Sequence, residues 1–175
     1  VRIVVGASAI AILARIAAPA AADGESALSG SLGWATYARP SADDPAMDVT
    51  PDFGGMLAIE YERAFAEPLS WRIEGAFGGF GGDGTSFLAL AHVGAVYRFD
   101  VLKYVPYAFA GVGAVMAWGG PLDFGADPVL VLGGGLDILS SRDRSYGVEA
   151  RLASFAGDIT FLSIGARLTF RWGYF

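Results

Sequence analysis

The C-terminal segment ITFLSIGARLTFRWGYF constrains the fold of this chain more than any other stretch. From Thr160 to Trp172, Leu162, Ile164, Ala166, Leu168, Phe170 and Trp172 share one parity, and Ser163, Gly165, Arg167, Thr169 and Arg171 share the other. A period of two means a β-strand with one apolar and one polar face. The segment outruns the usual globular strand of about five or six residues. It has the length of a tilted strand crossing a bilayer, which needs about nine to eleven residues.

The rest of the chain fits that reading. Hydrophobic residues make up 54% and charged residues 17%, below the roughly 25% charge of soluble domains. Yet no run of about eighteen uncharged apolar residues follows residue 22, so the mature chain is not expected to cross a membrane by helices. A hydrophobic chain without hydrophobic helices has the composition of a membrane barrel. The absence of cysteine excludes disulfides and thiolate metal sites,. A net charge of −6 argues against binding nucleic acid through a basic surface,. Residues 1–22 read as an export signal. Arg2 precedes a mostly apolar stretch from Ile3 to Ile16, and Ala20-Ala21-Ala22 offers a small-residue cleavage site before Asp23,. The barrel domain is then 23–175.

Alternation and turn residues predict strands at 27–38, 53–63, 69–79, 87–99, 104–118, 129–139, 146–156 and 160–172, with a loop at 119–127,. The face parity of 104–118 is not assignable from its residues. The expected fold is all-β: an eight-stranded antiparallel up-and-down transmembrane barrel, preceded by a signal-peptide helix.

With the faces of the readable strands assigned from large apolar residues alone, the charges sort themselves. Glu60, Glu62, Arg72, Glu74, Arg98, Asp137, Glu149, Arg151, Arg167 and Arg171 all fall opposite the apolar face, and only Arg63, at a strand end, does not. A soluble sheet would show the same alternation, but its solvated face would use lysine freely, and the sole lysine here is Lys103. Acids balanced by arginines suit a closed lumen, where forked guanidinium groups satisfy carboxylates. An arginine facing lipid at mid-depth costs about 2–4 kcal/mol. The apolar face therefore points outward and the charges inward. Closure of one hairpin around Ala66 places Glu60 opposite Arg72, and closure of another near Arg144 places Asp137 opposite Arg151.

Loops on the presumed outer side carry Asp43, Asp44, Asp48, Asp52, Asp83, Asp123, Asp127 and Asp158 against Arg39. The presumed periplasmic turns carry Lys103, Arg142 and Arg144 beside Glu67, Asp100 and Asp143. Acidic loops are ordinarily just solvated. Divalent-cation binding near lipopolysaccharide headgroups is the sharper reading, but no ligand loop of recognised spacing supports it.

The segments VPYAFAGVGA (105–114) and LGGGLDILSSRDRSYGVEARLASF (132–155) resemble strands of the OmpA-type and OmpX-type small outer-membrane β-barrel superfamily. The final strand is similar to that family's C-terminal assembly signal at Ser163, Gly165, Leu168 and Phe170, with Phe175 the other candidate for the terminal aromatic. The resemblance implies a bacterial outer-membrane location, contact with membrane lipid and lipopolysaccharide, recognition by the barrel-assembly machinery, and a monomer. It specifies architecture better than role, since the superfamily hosts anchors, adhesins, small pores and a few enzymes. Membrane lipid A deacylases use a Ser–His pair with an acid. Here the single histidine, His92, falls on the lumen parity, and Gly94 stands where that resemblance would want a serine. One His and no Cys cannot build a His/Cys metal site,. The glycine clusters Gly78–Gly84 and Gly133–Gly135 lack the strand-to-helix context of a nucleotide fingerprint,. The expectation is a barrel without cofactor or enzymatic activity, with a structural or surface-interaction role and a lumen plugged by acid–arginine pairs. A narrow pore is the alternative, and a lipid A-modifying enzyme comes third.

Overall fold

The computed structural model describes residues 24–40, 48–82, 84–99, 103–120, 122–155 and 159–173. The expected leader at 1–22, and Phe175, lie outside these residues. The described residues form nine strands: β1 (Ser26–Pro40), β2 (Asp48–Val49), β3 (Phe53–Ala66), β4 (Leu69–Gly81), β5 (Ser86–Arg98), β6 (Tyr104–Gly119), β7 (Leu122–Leu139), β8 (Arg144–Phe155) and β9 (Ile159–Trp172). Strand β2 only extends the tip of β1, through Arg39↔Val49 and Pro40↔Asp48. The other eight pair antiparallel in chain order, and β9 closes on β1 from Ser26↔Trp172 to Ala38↔Thr160. Closure removes both sheet edges.

The register sets the geometry. Directly paired residues lead round the wall from Ser26 through Arg63, Trp71, Ala95, Ala110, Leu132, Leu152 and Leu162, and arrive back on β1 at Thr36 rather than at Ser26. A stagger of that size over eight strands tilts them by about 40° to the axis. Each residue then rises about 2.5 Å along the barrel, so Phe87 and Tyr97 on β5 stand about 25 Å apart, the apolar height of a membrane-spanning barrel.

The two faces are those of an inside-out protein. Outward positions carry exposed Leu28, Leu32, Leu57, Ile59, Val112, Leu132, Ile164 and Leu168, and inward positions carry buried charge. Aromatic groups mark both margins of this band. Phe77, Phe87 and Trp118 lie within 6.0–6.1 Å of one another at the loop end. Tyr61 meets Trp71 at 5.3 Å and Trp172 at 6.3 Å at the other end, the terminus end of the wall, where β1 begins and β9 stops.

One feature departs from the sequence reading, and a second supplies what it left open. The segment expected to be a loop at 119–127 is mostly strand, because Gly119 and Gly120 take left-handed φ of 86° and 56° and turn the chain almost at once into Leu122,. Strand β6, whose parity was not assignable, turns Tyr107, Phe109 and Val115 inward and leaves Ala108, Ala110 and Val112 outside. Of its aromatic residues, Tyr107 and Phe109 are buried, while Tyr104 is exposed and Trp118 half-buried at the strand ends.

Candidate functional site

The interior of the barrel is the candidate site, and it has two tiers. The tier nearer the start of β1 and the end of β9 is charged. All ten charged residues expected in the lumen lie on the inward parity, and only Arg98, at the mouth, is more than slightly exposed. Arg72 is wholly buried. It donates to Glu62 Oε1 through Nη2 at 2.8 Å and Nε at 3.1 Å, and through Nη1 to Glu149 Oε2 at 2.9 Å. Its guanidinium carbon lies 4.2 Å from the Phe109 ring centroid. Arg167 is a second hub, donating to Glu60 at 2.9 Å, Glu62 at 2.7 Å and Asp137 at 3.0 Å. Asp137 Oδ2 also accepts from Ser145 at 3.1 Å and Arg171 at 2.8 Å. At the mouth, Glu25 lies 3.2 Å from Arg171 Nε, and Arg98 pairs with Glu62. Burying this many charges is affordable only because each acid meets at least one guanidinium.

The directly opposed residues differ from those expected of simple hairpin closure, although Arg72 Nη2 still lies 3.5 Å from Glu60 Oε2 in an ion pair. Arg72 stands opposite Glu62, and Glu60 stands opposite Glu74. The turn closes at 67–68 rather than around Ala66, and with the one-residue irregularity between Ala64 and Ala66 the pairing ends two residues away from the expected one. Asp137 faces Gly147, and Arg151 faces Gly133, because the 140–143 turn closes nearer the β7 end than assumed. In that turn the Ser141 hydroxyl donates to Asp143 Oδ1 at 2.6 Å and holds this exposed carboxyl below its ordinary pKa.

Directly opposed carboxylates such as Glu60 and Glu74 repel unless a cation lies between them. Arg151 supplies it, reaching Glu74 at 2.6 Å, Glu60 at 3.5 Å, and Glu149. Oxygens of these three acids come within 4.8 Å of one another, a spacing a metal could use. The guanidinium already provides the positive charge there.

The tier nearer the loops is apolar. Tyr37, Met56, Phe80, Leu88, Leu90, Val115, Val129, Ile159 and Phe161 all point inward and are at most 5% exposed. The sequence reading assigned large apolar residues to the lipid face and so missed this tier. Its signal was present where both parities are apolar at once, as in FLAL (87–90) and VLVL (129–132).

Inward glycines make room for inward rings. A Cβ on Gly133 would lie 2.3 Å from Phe109 Cζ, and one on Gly135 would lie 2.5 Å from the Tyr107 hydroxyl oxygen. The rings therefore lie flat against the wall, and the Tyr107 hydroxyl donates to Glu149 at 2.8 Å.

His92 is 4% exposed, stacks on Phe109 at 6.0 Å, and has its Nε2 3.9 Å from Glu74 Oε2, beyond hydrogen-bond reach,. Neither ring nitrogen has a hydrogen-bond partner among the described residues, so no serine is poised beside it. Of the expected assembly-signal residues, Ser163 points inward, Gly165 is half-buried, and Leu168 and Phe170 face outward. Asp127 pairs with Arg39 at 3.3 Å and Asp52 is exposed. Asp43, Asp44, Asp83, Asp100 and Asp158, and the side chains of Asp48 and Asp123, lie outside what is described.

An apolar exterior of bilayer height around a closed eight-stranded wall defines a membrane β-barrel, and the fold is that of the small outer-membrane barrels. Neisserial surface protein A has the same fold, with a TM-score of 0.68 at 13% identity over 84% of this chain and 97% of that one. Ail, the attachment invasion locus protein of Yersinia pestis, superposes with a TM-score of 0.62 at 14% identity, covering 85% and 99% of the two chains. The outer membrane enzyme PagL follows with 0.55 at 17% identity, covering 82% and 98%. At these identities the likeness is one of fold. No protein-family model matches the chain, and no curated protein matches it in sequence.

Proposed function

We propose that this chain is a monomeric integral protein of the bacterial outer membrane, without enzymatic activity, whose barrel is a closed anchor for its outer loops. The observation that carries the reading is the filling of the lumen in two tiers of opposite chemistry. A pore needs a continuous polar path, and the apolar tier offers water or ions little beyond the Tyr37 and Ser86 hydroxyls, which lie 2.8 Å apart and bond to each other,. The alternative of a narrow conducting pore is correspondingly weaker. A lipid-modifying enzyme would need its nucleophile and base where a lipid can reach them, whereas His92 is inside the barrel with no serine beside it,. The outer leaflet's lipopolysaccharide and the barrel-assembly machinery are the partners implied by such a location.

Two measurements test this. Membrane fractionation should place the protein in the outer membrane, with heat-modifiable gel migration. Single-channel recording of purified protein in planar bilayers should show no conductance steps. Reproducible steps of one size would replace the anchor reading with the pore.

A further inference from the structure

Two arginines of the described strands break the charge sorting: Arg144, at the start of β8, lies over the Phe170 ring, and the surroundings of the other give it a role. Arg63 lies on the outward parity near the terminus end of β3, at the foot of the apolar band. Directly paired residues on four neighbouring strands form a transverse row: Trp172, Ser26, Arg63 and Trp71. Tyr61, on the same face two residues along, touches both tryptophan rings, and its hydroxyl lies 3.4 Å from the Ser26 hydroxyl. Arg63 is only half-exposed, yet no described residue gives its guanidinium a hydrogen bond, ion pair or ring contact. Every other inward or outward arginine of the described strands has at least one such partner.

We propose that Arg63, Ser26 and the rings of Tyr61, Trp71 and Trp172 form a docking site for the phosphate headgroup of an anionic phospholipid in the membrane leaflet at the terminus end. The inference rests on the membrane reading above. The chemistry is complementary: a guanidinium presents a planar fork of donors to phosphate oxygens. The two hydroxyls add donors, and the flanking rings suit the boundary between headgroup and acyl chain. A guanidinium left unpaired here on the protein side is satisfied from the lipid side. The bare alternative, that Arg63 merely reaches water, predicts no preference among lipid headgroups.

The test uses protein whose Trp34 and Trp118, at the opposite margin, are replaced by Phe, so that Trp71 and Trp172 report. The parent, Arg63→Gln and Lys103→Gln proteins are refolded into phosphatidylcholine vesicles. Quenching by brominated phosphatidylglycerol is then compared with quenching by brominated phosphatidylcholine. The parent should favour phosphatidylglycerol about fivefold, the effect of one basic side chain at an anionic surface. Arg63→Gln should lose that preference, and Lys103→Gln, a basic change at the same end but off the site, should keep it. Retention of the preference in Arg63→Gln overturns the site. So does an equal loss in Lys103→Gln, which would mean diffuse surface charge. Failure of the parent to float with vesicles would sink the membrane reading itself, a result distinguishable from insertion without preference.

Discussion

Arg72→Met is the sharpest test of how the charged tier holds together. The substitution removes a wholly buried guanidinium that donates to Glu62 at 2.8 and 3.1 Å and to Glu149 at 2.9 Å. Taking one partner from a buried ion pair costs about 3–5 kcal/mol, mostly because the other charge stays buried without compensation. Here both acids keep other arginines: Glu62 keeps Arg167 at 2.7 Å and also Arg98, and Glu149 keeps Arg151. The cost should therefore fall at the low end, about 3 kcal/mol. Methionine restores most of the volume beneath Phe109, so cavity formation adds little. The decisive comparison is Arg72→Met with Glu62→Met. The double variant removes one charge of each sign, so the balance of the tier is kept. It should be more stable than Arg72→Met alone, with a coupling energy of about 2 kcal/mol across the cycle. Urea unfolding in lipid vesicles, followed by tryptophan fluorescence and checked by refolding from both directions, gives all four free energies. Additive losses with coupling near zero would refute the reasoning, because each residue would then be contributing alone.

Other consequences follow from single contacts. Gly78→Ala should cost about 1–3 kcal/mol, since its Cβ would lie 2.8 Å from the Phe80 ring,. Combining it with Phe80→Leu should give less than the sum of the two losses in the same unfolding assay. His92→Leu should cost less than about 1 kcal/mol, because the buried imidazole makes no hydrogen bond to lose,. A larger loss would reveal a partner for its nitrogens. Phe161→Ala, in the apolar tier at 0% exposure, should cost about 3–5 kcal/mol,.

How far the molecule was legible in its sequence differs by layer. The outward faces could be read because lipid permits little but apolar side chains there, so Leu28, Leu57, Ile73 and Leu168 announced their parity. The lumen charges could be read for the converse reason. Their partners could not, because pairing depends on turn closure, and the irregularity at Ala64/Ala66 leaves no clear mark in composition. The apolar tier was hidden by the rule that revealed the exterior: in SFLALAHV both faces are apolar, and periodicity cannot say which one is inside,. Midway along β6, Ala108, Ala110 and Val112 face lipid while Tyr107 and Phe109 face inward, opposite to what size would suggest. The reason lies on β7, where Gly133 and Gly135 clear the space those rings need.

The two tiers also bear on why a barrel this narrow would keep so many buried charges. Eight strands enclose an interior just wide enough for side chains. An all-apolar filling would be simpler to desolvate, and buried ion pairs are not in general a source of net stability. The ion pairs do, however, penalise a wrong register. Arg167 on β9 holds Glu60 and Glu62 on β3 and Asp137 on β7, and Arg72 on β4 reaches Glu149 on β8. These contacts cross the lumen or skip neighbours, so a register slip by two residues would leave several charges unpaired at once. The apolar tier cannot impose that penalty, because leucine and valine tolerate sliding past one another far better than a forked ion pair does. On this argument the charged tier selects the register and the apolar tier excludes water, and a polar leak would require both to fail together. Removing an arginine alone should therefore loosen the barrel without opening it.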